Sequence, residues 1–183
     1  MRTYSVEIVE KVTGIKLGLI QQWENRGLYV CELRREAEFN LRLVVSHDKP
    51  ERREGARQTL ENLKSGWKRF TFVDILRLTL IRKLTAMGVT VKTAAKIALE
   101  IDIYDEKTER ELEEAERSPA GRNDENHPDL HYWSPETQEV WGKRTRDRKK
   151  LGAELAKTES SIVFNLTAIR RNVISRLDES LEK

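Results

Sequence analysis

The chain of 183 residues lacks several features that would each identify a class of protein. It has a single cysteine, Cys31, so no disulfide can form within the chain, which fits a reducing cytosol. No apolar run approaches the ~18 residues that a membrane span needs. The residues after Tyr4 are amphipathic and do not form the apolar core of a signal peptide. We therefore expect a cytoplasmic protein with no membrane partner.

The sequence also lacks the usual signs of an enzyme. It has no evident pairing of a nucleophile with a base and no glycine loop of the kind that cradles phosphates, so we expect neither catalysis nor a cofactor. His127, Asp129 and His131 place three potential metal ligands within five residues. Pro128 disfavours a helical arrangement of them and no fourth ligand is evident, so we assign no metal site. A metal-dependent enzyme using this cluster is the least favoured alternative.

Charge is distributed unevenly along the chain. Residues 1–99 carry 19 Lys and Arg against 11 Asp and Glu, residues 100–129 carry 4 against 12, and residues 130–183 carry 11 against 8. A basic half followed by an acidic stretch indicates a polyanion-binding domain joined to a part that does not bind polyanions.

Two short amphipathic segments open the chain. Ser5 is a good N-cap and Gly14 a good helix end, which predicts a helix from Val6 to Thr13. A second helix is expected from Lys16 to Asn25, stopped by Gly27. Two short helices joined by a turn that contains glycine form a helix-turn-helix unit.

The next segment has a different pattern. Apolar residues alternate with polar ones at Phe39, Leu41, Leu43 and Val45, which predicts a strand. Residues 51–64 fit a short helix or a disordered loop.

Stronger helical patterns follow. We expect a long helix over 72–84, ended by Gly88, and a second over 91–99, capped by Thr90. Residues 118–128 are rich in helix breakers and form the best boundary in the chain.

The C-terminal part combines a strand over 162–164 with an amphipathic helix capped by Thr167. The aromatic residues Tyr132, Trp133 and Trp141 can line a pocket for a small molecule, but a small satellite core is the favoured interpretation.

Several motifs, in order, resemble those of MerR-family regulators over about residues 3–99. Residues 4–14 (YSVEIVEKVTG) resemble the opening helix of that family, and residues 15–28 (IKLGLIQQWENRGL) continue the likeness without a gap. Residues 66–70 (GWKRF) resemble the end of the family's wing. Residues 73–78 (VDILRL), 81–84 (IRKL) and 87–89 (MGV) resemble the helix that follows and its exit.

The resemblance implies a mainly α fold with a small β wing, of the α+β class. A winged helix-turn-helix DNA-binding domain would occupy residues 1–99, with an enlarged wing over 28–70. An acidic, breaker-rich linker would follow at 100–129. A small α/β region at 130–183 would serve effector binding or dimerisation.

The family's architecture also implies which residues contact double-stranded DNA. In the second helix, Ile20 and Trp23 are the packing residues, and glutamine can bond an adenine edge. Lysine and arginine reach phosphates, which position the domain without reading sequence. Backbone N–H groups at the start of the first helix can meet another phosphate. The candidate contacts are Tyr4, Ser5, Lys16, Gly18, Gln21, Gln22, Arg26, Arg42, Lys68 and Arg69.

The chain departs from the family in three respects. Many relatives carry arginine and tyrosine at the positions of Gln21 and Gln22, so the operator does not follow from the resemblance. The stretch between residues 28 and 66 is longer than the usual wing. Residues 100–117 have too few apolar positions for the family's coiled coil, so we expect a homodimer held instead by Ile169, Val173 and Leu177.

The implied function is sequence-specific transcriptional regulation, with RNA polymerase as a further partner and an unidentified small-molecule effector. Promoter distortion by such regulators depends on DNA shape and needs a dimer. The alternative is a DNA-architectural or excisionase-like factor that uses the same fold without an effector.

Overall fold

The computed structural model describes residues 3–47, 54–55, 57–58, 61, 69–100, 130–135, 140–143, 152–153, 155–156 and 160–181. These residues are mostly helical and include two small antiparallel sheets, which confirms the α+β class. The chain divides into two compact units, Met1–Ile75 and Leu76–Lys183. The expected domain boundary after residue 99 and the linker over 100–129 stay predictions, and residues 101–129 lie outside the described residues.

The first unit opens with a short strand and two short helices. Its elements are β1 (Thr3–Tyr4), α1 (Val6–Thr13), α2 (Leu17–Asn25), α3 (Glu32–His47), β2 (Phe70–Thr71) and the first turn of α4 (Phe72–Ala86). Strands β1 and β2 pair antiparallel, with Tyr4 opposite Phe70. The predicted bounds of α1 are confirmed, and α2 begins one residue later than expected.

The turn between α1 and α2 is fixed by local chemistry. Gly14 ends α1 with φ of 68°, a left-handed conformation that glycine adopts without strain. The hydroxyl of Thr13 donates to the carbonyl of Val9 at 2.7 Å and accepts the Ile15 N–H at 3.1 Å. Only three residues therefore separate the two helices.

The strand predicted at residues 39–45 is wrong, because these residues lie in helix α3. The segment is rich in strong helix formers, which outweigh a short alternation of apolar residues. Arg34 and Glu38 form an ion pair one turn apart at 2.9 Å, the spacing that stabilises helices. Phe39, the first apolar residue of that alternation, is 61% exposed. The part of the expected enlarged wing from Glu32 to His47 is thus helical.

The second unit contains the rest of α4, then α5 (Val91–Glu100), a three-stranded sheet and a C-terminal helix. Gly88 ends the α4 region with φ of 90°, and the Thr93 N–H donates to the hydroxyl of Thr90 at the start of α5. The helix end at Gly88 and the helix cap at Thr90 were both predicted from the sequence. In the sheet, β3 (Leu130–Trp133) lies between β4 (Val140–Lys143) and β5 (Ile162–Asn165).

The last helix, α6 (Leu166–Leu181), packs against β3. The predicted cap at Thr167 is wrong: Thr167 lies inside the helix, and the side chain of Asn165 accepts the Ala168 N–H at 3.0 Å. Asparagine is the stronger N-cap, and its placement at the end of β5 lets the strand run directly into the helix.

Candidate nucleic-acid interface

Helix α2 has one buried side and one exposed side. Ile20 and Trp23 are buried, and Leu17 and Glu24 at the flanks are intermediate. At 3.6 residues per turn the exposed positions span an arc of about 160°. The residues on this arc, which we call the α2 face, are Gly18, Leu19, Gln21, Gln22, Asn25 and Arg26.

A carboxylate from α1 holds the start of α2. Glu10 Oε1 accepts the Leu17 N–H at 2.6 Å, and Glu10 Oε2 lies 3.3 Å from Lys16 Nζ. The Leu17 N–H, followed by Lys16, lowers the pKa of Glu10. The bond satisfies a backbone donor that the first turn of a helix leaves open. It also couples the orientation of α2 to that of α1.

The predicted contact residues of α2 are all accessible. Gly18, Gln21, Gln22 and Arg26 lie on the α2 face, and the side chain of Lys16, just before the helix, is 84% exposed despite its ion pair. The prediction missed Asn25 and Leu19. The signal for Asn25 was its spacing, seven residues after Gly18 and three after Gln22, which places it on the same face.

Tyr4 and Ser5, the contact residues expected at the start of α1, differ in exposure. The side chain of Tyr4 is buried in the core, and its backbone pairs with Phe70 in the two-stranded sheet. Ser5 is exposed and is the N-cap of α1, but its hydroxyl makes no capping hydrogen bond. Among the basic candidates, Arg42 in α3 and Arg69 before β2 are exposed, and Lys68 lies outside the described residues.

A buried carboxylate, which the sequence analysis did not identify, joins four segments of the first unit. Asp74 accepts hydrogen bonds from the Tyr29 hydroxyl at 2.5 Å, the Glu32 N–H at 2.9 Å, and the N–H and hydroxyl of Thr71 at 2.8 and 3.0 Å. The Asp74 N–H donates back to the Thr71 hydroxyl at 3.2 Å, which completes a capping box at the start of α4. Burial raises the pKa of Asp74, and the donors oppose that shift. Asp74 thereby fixes the chain just after α2.

The expected C-terminal site residues lie elsewhere in the fold. Ile169, Val173 and Leu177 are buried within a single chain, where they form part of the core of the second unit. Their role in dimerisation stays a prediction, and little of their surface is left for a second copy. Tyr132 is also buried, as a satellite core requires.

The cluster of His127, Asp129 and His131 lies only partly within the described residues. His127 and Asp129 lie outside the described residues, and the backbone of His131 belongs to β3. Within the described ranges there is no group of three or more potential metal ligands. The helices described for this chain include none that is long and apolar enough to cross a membrane.

The chain was compared with models of known protein families and with curated proteins, and neither comparison gives a match. The likeness to MerR regulators therefore rests on the motifs themselves.

The α2 face combines three carboxamides, one guanidinium and one apolar side chain, with no carboxylate among them. Carboxamides can donate and accept at once, and a guanidinium only donates. Such a surface is suited to a polar, negatively charged partner that carries both donors and acceptors. The edges and backbone of double-stranded DNA have this chemistry.

Proposed function

We propose that the chain is a sequence-specific DNA-binding transcriptional regulator whose first unit contains a helix-turn-helix of the MerR type. The observation that carries the proposal is the α2 face, an exposed, carboxylate-free polar surface on a helix whose other side is buried. The order of the MerR-like motifs supports it. Helix α2 would be the recognition helix, since such helices lie in the major groove and contact base edges there.

Phosphate contacts would come from the surroundings of α2. Lys16 and Arg26 stand at the two ends of the helix, and Arg42 and Arg69 are exposed elsewhere in the unit. Ser5 at the start of α1 would add backbone N–H groups. These contacts carry no sequence information, and they make binding depend strongly on salt through counterion release. The excess of basic residues over positions 1–99 has the sign that this requires.

The proposal includes a symmetric homodimer, because a single module of this size reads few base pairs and useful specificity needs two half-sites. Burial of Ile169, Val173 and Leu177 favours an interface made by other residues. RNA polymerase and an effector remain further proposed partners, on the strength of the resemblance.

The test is a selection of bound sites from random duplex DNA with the full chain, followed by titrations at several salt concentrations. We expect an enriched motif with two half-sites and an affinity that falls steeply with salt. No DNA binding at low salt would exclude the proposal. Binding without any enriched motif would instead favour the architectural alternative.

A charge-removal pair sharpens the test. Arg26→Gln should weaken binding to every sequence and make the salt slope less steep by about 0.9, one phosphate contact. Lys92→Gln removes an exposed charge from α5, outside the proposed interface, and should change neither. Equal effects of the two variants would mean that only net charge matters and that α2 is not the contact surface.

A further inference from the structure

Around the helix axis, Gln22 and Asn25 lie in the central part of the α2 face, Gln21 and Leu19 lie at its two edges, and Arg26 lies near the Leu19 edge. We infer that α2 reads a half-site core of neighbouring A·T base pairs, with adenines bound by Gln22 and Asn25. This inference rests on the proposed DNA-binding function.

The spacing of the two amides fits consecutive base pairs. Gln22 and Asn25 are three residues apart, a rise of about 4.5 Å along the helix. Stacked base pairs are about 3.4 Å apart. The two side chains are also about 60° apart around the axis, both within the exposed arc. Each amide can therefore meet its own base pair in the groove.

The chemistry of a carboxamide selects adenine. Its carbonyl accepts from the adenine N6 amino group while its NH₂ donates to N7, a bidentate pair that no other base offers in the same arrangement. The bidentate partners of guanine are arginine and lysine. Of the two such residues at this surface, Lys16 is paired with Glu10 before α2 begins, and Arg26 lies near the edge of the exposed arc, outside its central part.

The apolar residue of the α2 face indicates a contact with thymine, the base that pairs with adenine. Leu19 is 40% exposed on an otherwise polar surface and lies one turn before Gln22. Contact with water does not stabilise an exposed leucine, whereas the thymine methyl group in the major groove is an apolar surface on which it can pack. A thymine beside the adenine read by Gln22 would cover it.

The experiment replaces single atoms of the DNA. The motif is first selected with the full chain. Duplexes are then made in which the enriched adenines are replaced by 7-deaza-adenine, a base without the N7 acceptor, or the thymines are replaced by uracil, a base without the methyl group. Dissociation constants are measured for the wild type, Gln22→Ala, Asn25→Ala and Leu19→Ala. Asn172→Ala, an exposed amide of α6, is the control.

We expect each amide variant to bind the selected site roughly 5- to 150-fold more weakly than the wild type. Replacing an adenine that Gln22 or Asn25 binds by 7-deaza-adenine should weaken DNA binding by the wild type about fivefold or more. The same replacement should not change the affinity of the variant that lacks that amide, since its hydrogen bond to N7 is already absent. Uracil should act in the same way on wild type and Leu19→Ala. Asn172→Ala should match the wild type throughout.

Two failures are distinguishable. A wild-type chain that binds no duplex would overturn the proposed function and the inference together. A chain that selects a motif with G·C pairs at its core, or that is insensitive to loss of N7 at every adenine, binds DNA but overturns the inference alone.

Discussion

Removal of one hydroxyl group tests the role of the buried Asp74 cluster. Tyr29 is 1% exposed and donates to Asp74 Oδ1 at 2.5 Å, so Tyr29→Phe deletes one of the four hydrogen bonds that the carboxylate accepts. A hydrogen bond of this kind contributes about 1 to 3 kcal/mol. We expect the free energy of unfolding to fall by about that amount, measured by urea denaturation.

Thr79→Val is the matched control. The Thr79 hydroxyl is buried and has no hydrogen-bond partner among the described residues. Its removal should leave stability unchanged or raise it by about 1 kcal/mol, because an unsatisfied buried polar group is costly. The reasoning is refuted if Tyr29→Phe is neutral, or if the two variants destabilise the protein equally.

Three further changes probe the first unit. Burial raises the pKa of Asp74 above its ordinary 3.8, so the folded state favours the protonated side chain. The stability that this preference contributes is complete below the unfolded pKa and is lost as the pH rises through the folded pKa. In denaturation curves, the wild type should therefore lose stability relative to Asp74→Asn above about pH 4. Trp23→Ala should cost about 3 to 5 kcal/mol by the same assay, and a mutant that is fully stable would move the indole out of the core. A Cβ at Gly18 would meet no atom within 4 Å, so Gly18→Ala should raise stability by about 0.5 to 1 kcal/mol yet weaken DNA binding in titrations; equal affinity would place Gly18 away from the groove.

Helices bounded by glycine were predictable from sequence. The bounds of α1 were predicted because Ser5 and Gly14 mark both ends, and α2 was predicted to within one residue because Gly27 follows it. Such signals are local, so they do not depend on the rest of the fold. Helix α3 had no comparable marker, and a short period-two pattern was mistaken for a strand.

The site was predictable where it depended on helical periodicity, and the accessible side of α2 is of that kind. The Asp74 cluster was not, since an aspartate in a sequence indicates a surface position unless its partners are known. Tyr29 is 45 residues away along the chain, and the tertiary fold alone brings it to Asp74. The Thr71–Asp74 spacing was a usable sign of a helix start, but it does not reveal burial.

The division of α2 into two sides explains how its exposed residues can change without loss of the fold. Ile20 and Trp23 are buried, and the Leu17 N–H is bonded to Glu10, so these positions stabilise the domain. Gln21 and Gln22, where the sequence departs from the MerR pattern, are both exposed. Exposed substitutions of this kind change stability by less than about 0.5 kcal/mol. Under the proposed function, such substitutions can therefore change which DNA sequence is bound while the scaffold that presents them stays the same.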